Sequence, residues 1–429
     1  MIIKRFVLLF FLLCSLLPAM GQIRGNNIVV TVTPDHKDWN YKVGEKAQFV
    51  VNVLRSGTLI DNAVIDYEAG PEMYPDVSKK NVTLKDGTMK WTGTMKTPGF
   101  YRLKVTAHVG GKNYVGMCTA GFSPELLQPA TKCPADFDEF WEKALSEARK
   151  NALDPHLTLL PDRCTETVNV YEVSFVNDRP QGRIYGILCR PVKPGKYPAL
   201  LRVPGAGSRP YGGDVWTASQ GAVVLEIGIH GIPVTLEQKV YDNLNHGAFE
   251  GYWESNLDQP EKNYYKRVVV GAVRAVDYIA SLPEWNGKDI GVTGASQGGF
   301  LSLAVAALDK RITYMAAVHD AMCDYEIALQ KRACGWPHYF YKQENPDMRK
   351  VEGARYYDGI NFARRVACPS FFTFGYNDEV VPPSSSWSVY NVVTAPKTIS
   401  LYQMTGHYWY QEQWDEWENW LLLQMGIRN

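Results

Sequence analysis

The chain has 429 residues, of which 45 are basic and 45 acidic, and no basic run stands out. That balance gives no support for nucleic acid or an anionic membrane surface as a partner, while the length is enough for two or three domains with sizeable cores. Aromatic residues are abundant, with 12 Trp and 25 Tyr, so recognition by stacking on ring faces stays open.

At the N-terminus, Met1-Ile2-Ile3-Lys4-Arg5 precedes the apolar run Phe6–Leu17, and Ala19-Met20-Gly21 brings small residues where a signal peptidase would cut. The run is too short to span a bilayer comfortably, so residues 1–21 read as a signal peptide, with the mature chain starting at Gln22 and exported to a periplasm or medium. Leu13 before Cys14 is bulkier than a typical lipoprotein signal carries, which favours a soluble product. No later stretch is long and apolar enough to insert in a membrane. Of the eight cysteines, Cys14 lies in this leader, and Cys118, Cys133, Cys164, Cys189, Cys323, Cys334 and Cys368 remain. Their number is odd and no two close Cys-x-x-Cys motifs occur, so no zinc site is expected. An oxidising compartment leaves disulfides such as Cys118–Cys133 or Cys323–Cys334 open, without spacing to choose between pairings.

Residues 22–122 are strand-like. Ile28–Val32, Phe49–Val53, Met89–Gly93 and Tyr101–Val105 carry β-branched and aromatic residues, with turn signals at Gly44, Asp86-Gly87, Pro98-Gly99 and Gly110-Gly111. Short strands without a helix over about a hundred residues predict an immunoglobulin-like β-sandwich. A packing or spacer role is preferred for it over a carbohydrate-binding one, because a fold alone carries no function. The proline-spaced stretch 123–134 reads as a linker. A helix then begins near Pro134, with Phe137, Phe140, Trp141, Ala144 and Leu145 on one face, a stripe whose spacing means packing.

From there to residue 429, strands and helices alternate. Strands are predicted at Asn169–Val176, Gly182–Cys189, Ala199–Val203, Ala222–Glu226, Ile290–Thr293, Tyr314–Val318 and Ser370–Phe374, and helices at Tyr264–Ser281, Gly299–Leu308 and Glu412–Leu423. Such alternation means an α/β domain, a mostly parallel sheet covered on both faces, with ligands beyond the carboxyl ends of its strands.

One segment organises this domain. The apolar strand at Ile290 runs into Gly294-Ala295-Ser296-Gln297-Gly298 and at once into a helix, the strand–turn–helix setting in which Gly-x-Ser-x-Gly presents a nucleophile. A serine nucleophile needs a base, and the base needs an anion to hold its tautomer. Asp378 follows the strand Ser370–Phe374 and is preferred over Glu379 as the acid. His407 is the only histidine after it and lies between a strand-like stretch, Thr398–Tyr402, and the final helix. The order Ser, Asp, His is that of this strand–turn–helix class. The backbone N–H groups of Gln297 and Ala206 are the expected oxyanion donors, each typically worth about 3 kcal/mol in the transition state. His230 and His319 fall at strand ends and, with Trp336 and Tyr408, are candidates for the pocket wall.

On these residues the chain resembles the acetyl xylan esterase and cephalosporin-C deacetylase family. The match runs from about Pro134 to the C-terminus through Asp136-Phe137-Asp138-Glu139-Phe140-Trp141, Tyr185-Gly186-Ile187-Leu188, Lys196-Tyr197-Pro198-Ala199, Ala272–Tyr278 and Gly291–Gly299. The resemblance implies an α/β-hydrolase fold, a Ser–Asp–His triad working without metal or cofactor, acetylated sugars as substrate, and a homo-oligomer. Three places depart from the family pattern. His230-Gly231-Ile232 stands for Arg-Gly-Gln, Pro204-Gly205-Ala206 for His-Gly-Tyr, and His407-Tyr408 for His-Glu. The sandwich is also an addition to the usual family core.

The reading is therefore an exported serine carboxylesterase that removes acetyl groups from carbohydrate of the xylo-oligosaccharide kind. Aromatic segments at Tyr252-Trp253, Trp336 to Tyr339 and Tyr408-Trp409-Tyr410 offer faces for sugar rings or for packing. Two other readings are weighed. A prolyl-oligopeptidase-type peptidase would need a propeller larger than the first domain allows. A glycan-binding protein with a decayed site would not keep three triad residues in order.

Overall fold

Along Ala47–Arg55 the side chains of Ala47, Phe49, Val51 and Val53 are wholly buried while their neighbours face outward, the period-two pattern of a strand with one face in a core. The structure is a computed structural model and describes residues 27–428; the expected signal peptide lies outside the described residues. Nine strands form the first domain: β1 (Ile28–Pro34), β2 (Asn40–Tyr41), β3 (Ala47–Arg55), β4 (Thr58–Leu59), β5 (Ala63–Pro71), β6 (Val77–Leu84), β7 (Thr88–Gly93), β8 (Gly99–Val109) and β9 (Lys112–Phe122). In one sheet β3 pairs with β1, β4 and β7, and the other has the order β2-β9-β8-β5-β6. Phe49 and Val51 of the first sheet share a core with Ile65, Leu103, Val105 and Phe122 of the second. Strands β5, β6 and β9 escape the sequence pattern for physical reasons, β9 because burial runs unbroken from Cys118 to Phe122 instead of alternating. A bulge between Ile65 and Tyr67 breaks the alternation of β5, and β6 is an edge strand whose one buried residue is Leu84.

Residues 123–134 are a strap laid on the second domain. Leu127 enters its core, and the backbone N–H groups of Ala130 and Thr131 donate to Asp324 at 2.9 and 3.0 Å.

The second domain holds β10 (His156–Leu159), β11 (Val168–Val176), β12 (Arg183–Pro191), β13 (Tyr197–Arg202), β14 (Val223–Gly228), β15 (Trp285–Ala295), β16 (Tyr314–Val318), β17 (Ser370–Phe374) and β18 (Lys397–Leu401). Its helices are α1 (Phe137–Arg149), α2 (Val215–Ser219), α3 (Gln238–Asn245), α4 (Tyr264–Ser281), α5 (Gln297–Leu308), α6 (Met348–Ala354), α7 (Gly359–Ala363), α8 (Pro383–Val392) and α9 (Gln411–Gln424). The nine strands lie in the order β10-β11-β12-β14-β13-β15-β16-β17-β18. The first three pairings are antiparallel and the rest parallel. Every predicted strand and helix of this domain is present, with ends moved by a few residues at most of them. Residues of α1, α4 and α5 share one core with the sheet, and Trp417 and Leu421 of α9 pack with Leu200, Val224 and Phe371 in another. Helix α5 is buried nearly all round, as a helix against the middle of a covered sheet must be. Strand order reverses at β13, between β14 and β15, so the loops after β13 and β15 part there and leave a crevice.

The two disulfides left open by the sequence do not form. All seven cysteines among the described residues are unpaired. Cys118 is sealed in the sandwich core while Cys133 lies exposed beside Arg365 of the other domain. Cys323 and Cys334 are both buried, and desolvation pushes the Cys334 thiol up to about 12. No helix among the described residues is long and apolar enough to cross a membrane.

Candidate active site

Strand β15 ends at Ala295 and α5 starts at Gln297, so Ser296 alone makes the turn, with φ 61° and ψ −124°. A non-glycine residue holds such angles only where its surroundings impose them. Here the Ser296 N–H donates to Val318 O at 2.8 Å and its carbonyl accepts from Gly299 N at 2.8 Å. The turn also brings the chain against the end of β13. A Cβ on Gly298 would stand 2.5 Å from Val203 O, and one on Gly294 would collide with the same carbonyl and with Gly298.

Three loops at the carboxyl end of the sheet meet over this turn. The Ser296 hydroxyl lies 3.1 Å from His407 Nε2, and His407 Nδ1 lies 2.8 Å from Asp378 Oδ2. Asp378 follows β17 and is fully buried. Its other oxygen accepts the N–H groups of Val380 and Val381, both at 2.8 Å. With Nδ1–H donating to the carboxylate, Nε2 is left as the acceptor for the serine proton. The structure thus brings together Ser296, Asp378 and His407 in the geometry of a nucleophile, an acid and a base.

On the other side of Ser296 lies the loop after β13. Gln297 opens α5, where N–H groups have no carbonyl above them and the helix dipole favours negative charge. Its side chain is wholly buried and acts as a tie. Nε2 donates to Pro204 O and Gly205 O at 3.3 and 3.4 Å, while Oε1 accepts from the hydroxyls of Tyr252 at 2.5 Å and Tyr265 at 2.7 Å. Tyr252 in turn accepts the Gly207 N–H at 3.3 Å. The backbone on both sides of Ala206 is thereby held to the start of α5.

The cavity in front of Ser296 has a volume of about 660 Å³ and is walled by Trp253, Trp336, Trp409, Arg209, His319 and Val380 together with the Gly205–Gly207 loop and His407. Arg209 is the one lining residue with a permanent charge, and it donates to Ala206 O. His319 is buried, sits 3.6 Å from Asp378 Oδ2 and is stacked at 6.1 Å on Trp409. Desolvation pushes its imidazole down to about 4. His319, Asp378 and His407 are also the residues, among those described, whose donor atoms crowd together enough to clasp a cation, all within 4.8 Å. Two of the three are already hydrogen-bonded to each other.

Of the four residues expected in the pocket wall, His319 and Trp336 line the cavity and the other two lie outside its lining. His230 points away into an aromatic nest, its Nδ1 2.7 Å from the Tyr264 hydroxyl and its ring stacked at 4.4 Å on Phe249. Burial pushes it down to about 4. Tyr408 is half exposed, edge-on to Tyr410. Sequence reasoning did not find Arg209 or Tyr265. Neither stands in a motif, and each reaches the site only through the fold.

Residues 125–423 match the acetyl xylan esterase (AXE1) family. Over 415 residues the chain is 40% identical to the acetyl esterase Axe7A of Xylanibacter ruminicola, covering 94% of this chain and 93% of that one. Among solved structures, an acetyl xylan esterase from Paenibacillus sp. R4 is 26% identical with a TM-score of 0.61, over 70% of this chain and 98% of its own. Acetyl xylan esterase 1 from Thermoanaerobacterium sp. JW/SL YS485 shares the fold, with a TM-score of 0.61 at 23% identity over 71% of this chain and 98% of its own.

Proposed function

Because the chain belongs to the acetyl xylan esterase family, and is thus a carboxylic ester hydrolase of the serine type with an α/β-hydrolase fold, we propose that it is exported and deacetylates xylo-oligosaccharides through an acetyl-enzyme. The observation that carries the reading is the relay from Ser296 Oγ to His407 Nε2, 3.1 Å, and from His407 Nδ1 to Asp378 Oδ2, 2.8 Å, set on a strained turn.

The Ser296 oxygen attacks the acetyl carbonyl carbon while His407 Nε2 takes the hydroxyl proton. Asp378 stabilises the imidazolium that forms. Negative charge on the carbonyl oxygen is met by the N–H groups of Gln297 and Ala206, each donor contributing about 3 kcal/mol. Collapse breaks the bond to the sugar oxygen, which leaves with the proton from His407. Water then attacks the acetyl-Ser296 carbonyl, giving its proton to His407, and acetate leaves as the serine recovers its hydrogen. The three tryptophans around the cavity suit the flat faces of a sugar chain. The basic and apolar start of the sequence, Lys4-Arg5 then Phe6–Leu17, supports export.

The test is acetate release from acetylated xylo-oligosaccharides by the mature protein and by Ser296→Ala. Release by the first, with a loss of at least about 10⁴-fold in the second, is expected. Equal release by both would remove Ser296 as the nucleophile, and no release by either would remove this substrate.

A further inference from the structure

The loop that carries Asp378 is held from the other domain. Along β8 the residues alternate cleanly: Tyr101, Leu103, Val105 and Ala107 belong to the sandwich core, so Phe100, Arg102 and Lys104 are turned out of the opposite face. On a free sandwich that face would meet water. Here Phe100 enters the hydrolase core and stands edge-on to Tyr376, with ring centres 4.9 Å apart.

Arg102 is 8% exposed. Its Nε donates to Thr119 Oγ1 at 2.8 Å, and its Nη2 donates to the carbonyl oxygens of Tyr376 at 3.2 Å and Asp378 at 2.9 Å. Thr119 is directly opposite Arg102 in the β8–β9 register, which orients the guanidinium fork before it meets the loop. Glu379 lies 3.8 Å from the guanidinium, and Glu72 lies 3.7 Å from it with its carboxyl pushed up to about 7 by burial. Further ties surround this one. Lys104 donates to Glu379 at 2.8 Å, Asn377 Nδ2 donates to Met117 O at 3.2 Å, and the Tyr376 hydroxyl donates to Asn40 Oδ1 at 3.0 Å. Residues 376 to 379 are therefore each bonded to the sandwich, and the catalytic aspartate is bonded through its own carbonyl.

We propose that the sandwich is a working part of the active site, and that Arg102 is a positioning residue that holds the Asp378 loop so that its carboxylate faces His407. The inference rests on the reading of Asp378 as the triad acid. The family match begins at residue 125, so this brace comes from a part of the chain outside it. A loop displaced by about 1 Å typically loses 10²-fold in rate, and a buried charged donor against two carbonyls is strong enough to prevent that.

Steady-state kinetics of the mature protein on 4-nitrophenyl acetate, with thermal unfolding recorded alongside, test the inference on Arg102→Ala, Arg102→Lys and Asp378→Asn. Arg102→Ala is expected to lose about 10- to 100-fold in kcat with KM within about twofold. Arg102→Lys, with a charge but no fork, should fall between it and the parent. Methylguanidine is expected to restore activity several-fold in Arg102→Ala and in neither the parent nor Asp378→Asn. It has a route, because Arg102 lines a cleft of about 320 Å³ between the domains. A folded Arg102→Ala with parental kcat overturns the brace. So does a loss equal to the unfolded fraction without rescue, and if Arg102→Ala does not fold, parental kcat in Arg102→Lys overturns it instead. Parental activity in Asp378→Asn would instead overturn the triad reading beneath it.

Discussion

The two ends of the Ser296–His407–Asp378 hydrogen-bonded chain are built differently. At Ser296, contiguous residues do almost everything: β15, one strained serine and α5 follow without a break, and Gly294 and Gly298 let the turn lie against Val203. At Asp378, nothing is contiguous. Asp378 is presented by a loop after β17, meets a histidine 29 positions later, and is held by strands of another domain some 275 residues earlier, as with the 276 positions between Arg102 and Asp378. A local motif makes its own geometry. A loop must borrow it.

Three substitutions sharpen that contrast. Gly298→Ala attacks the local end, since its Cβ would stand 2.5 Å from a backbone carbonyl that no rotamer change can move. The expected cost is about 3 kcal/mol of stability, at the upper end for overpacking, with activity down about 100-fold. A fully active and equally stable variant in denaturant unfolding would show that the turn needs no close approach. Tyr252→Phe acts one step further out. It removes the hydroxyl that accepts from Gly207 and donates to Gln297, while Tyr265 still holds the glutamine. A fall of about 10-fold in kcat with KM little changed is expected; a change in KM alone would assign Tyr252 to binding.

The smallest effect concerns pH and leaves the relay in place. His230 and His319 are both pushed by burial from 6.5 down to about 4. Above pH 6.5 neither the folded nor the unfolded state protonates them. As pH falls from 6.5 toward 4 the unfolded chain takes up protons that the folded one refuses, so stability falls. His319→Gln should therefore lose less Tm than the parent over that window, by a few degrees. Parallel Tm curves for the two proteins would mean that His319 protonates as readily folded as unfolded.

The same contrast explains what could be read in advance. The strands and helices of the hydrolase domain were legible because apolar runs such as Ile290–Thr293 and Tyr314–Val318 bury on both sheet faces and leave no other solution. Ser296, Asp378 and His407 were legible because chain order and strand ends limit each role to one or two residues. His230 and Tyr408 also stand beside strand ends or the base, yet fall outside the cavity lining, since proximity in sequence does not say which way a side chain turns. Strands β5, β6 and β9 are not legible, because a bulge, a polar edge and a stretch buried on both faces erase the period.

By itself the sequence determined the β-then-α/β division, the doubly covered sheet and which serine, aspartate and histidine meet at the sheet's carboxyl end, because hydrophobic periodicity and local turn chemistry act over a few residues. Tertiary structure decided the rest. Gln297 and Tyr265 converge only because α4 packs beside α5, Tyr252 joins them from the short turn Tyr252–Glu254 that packs on α4, and Arg102 reaches Asp378 O only because one face of β8 is turned onto the Asp378 loop. Hydrogen bonds between distant segments depend on where whole elements come to rest, and no spacing along the chain encodes that distance.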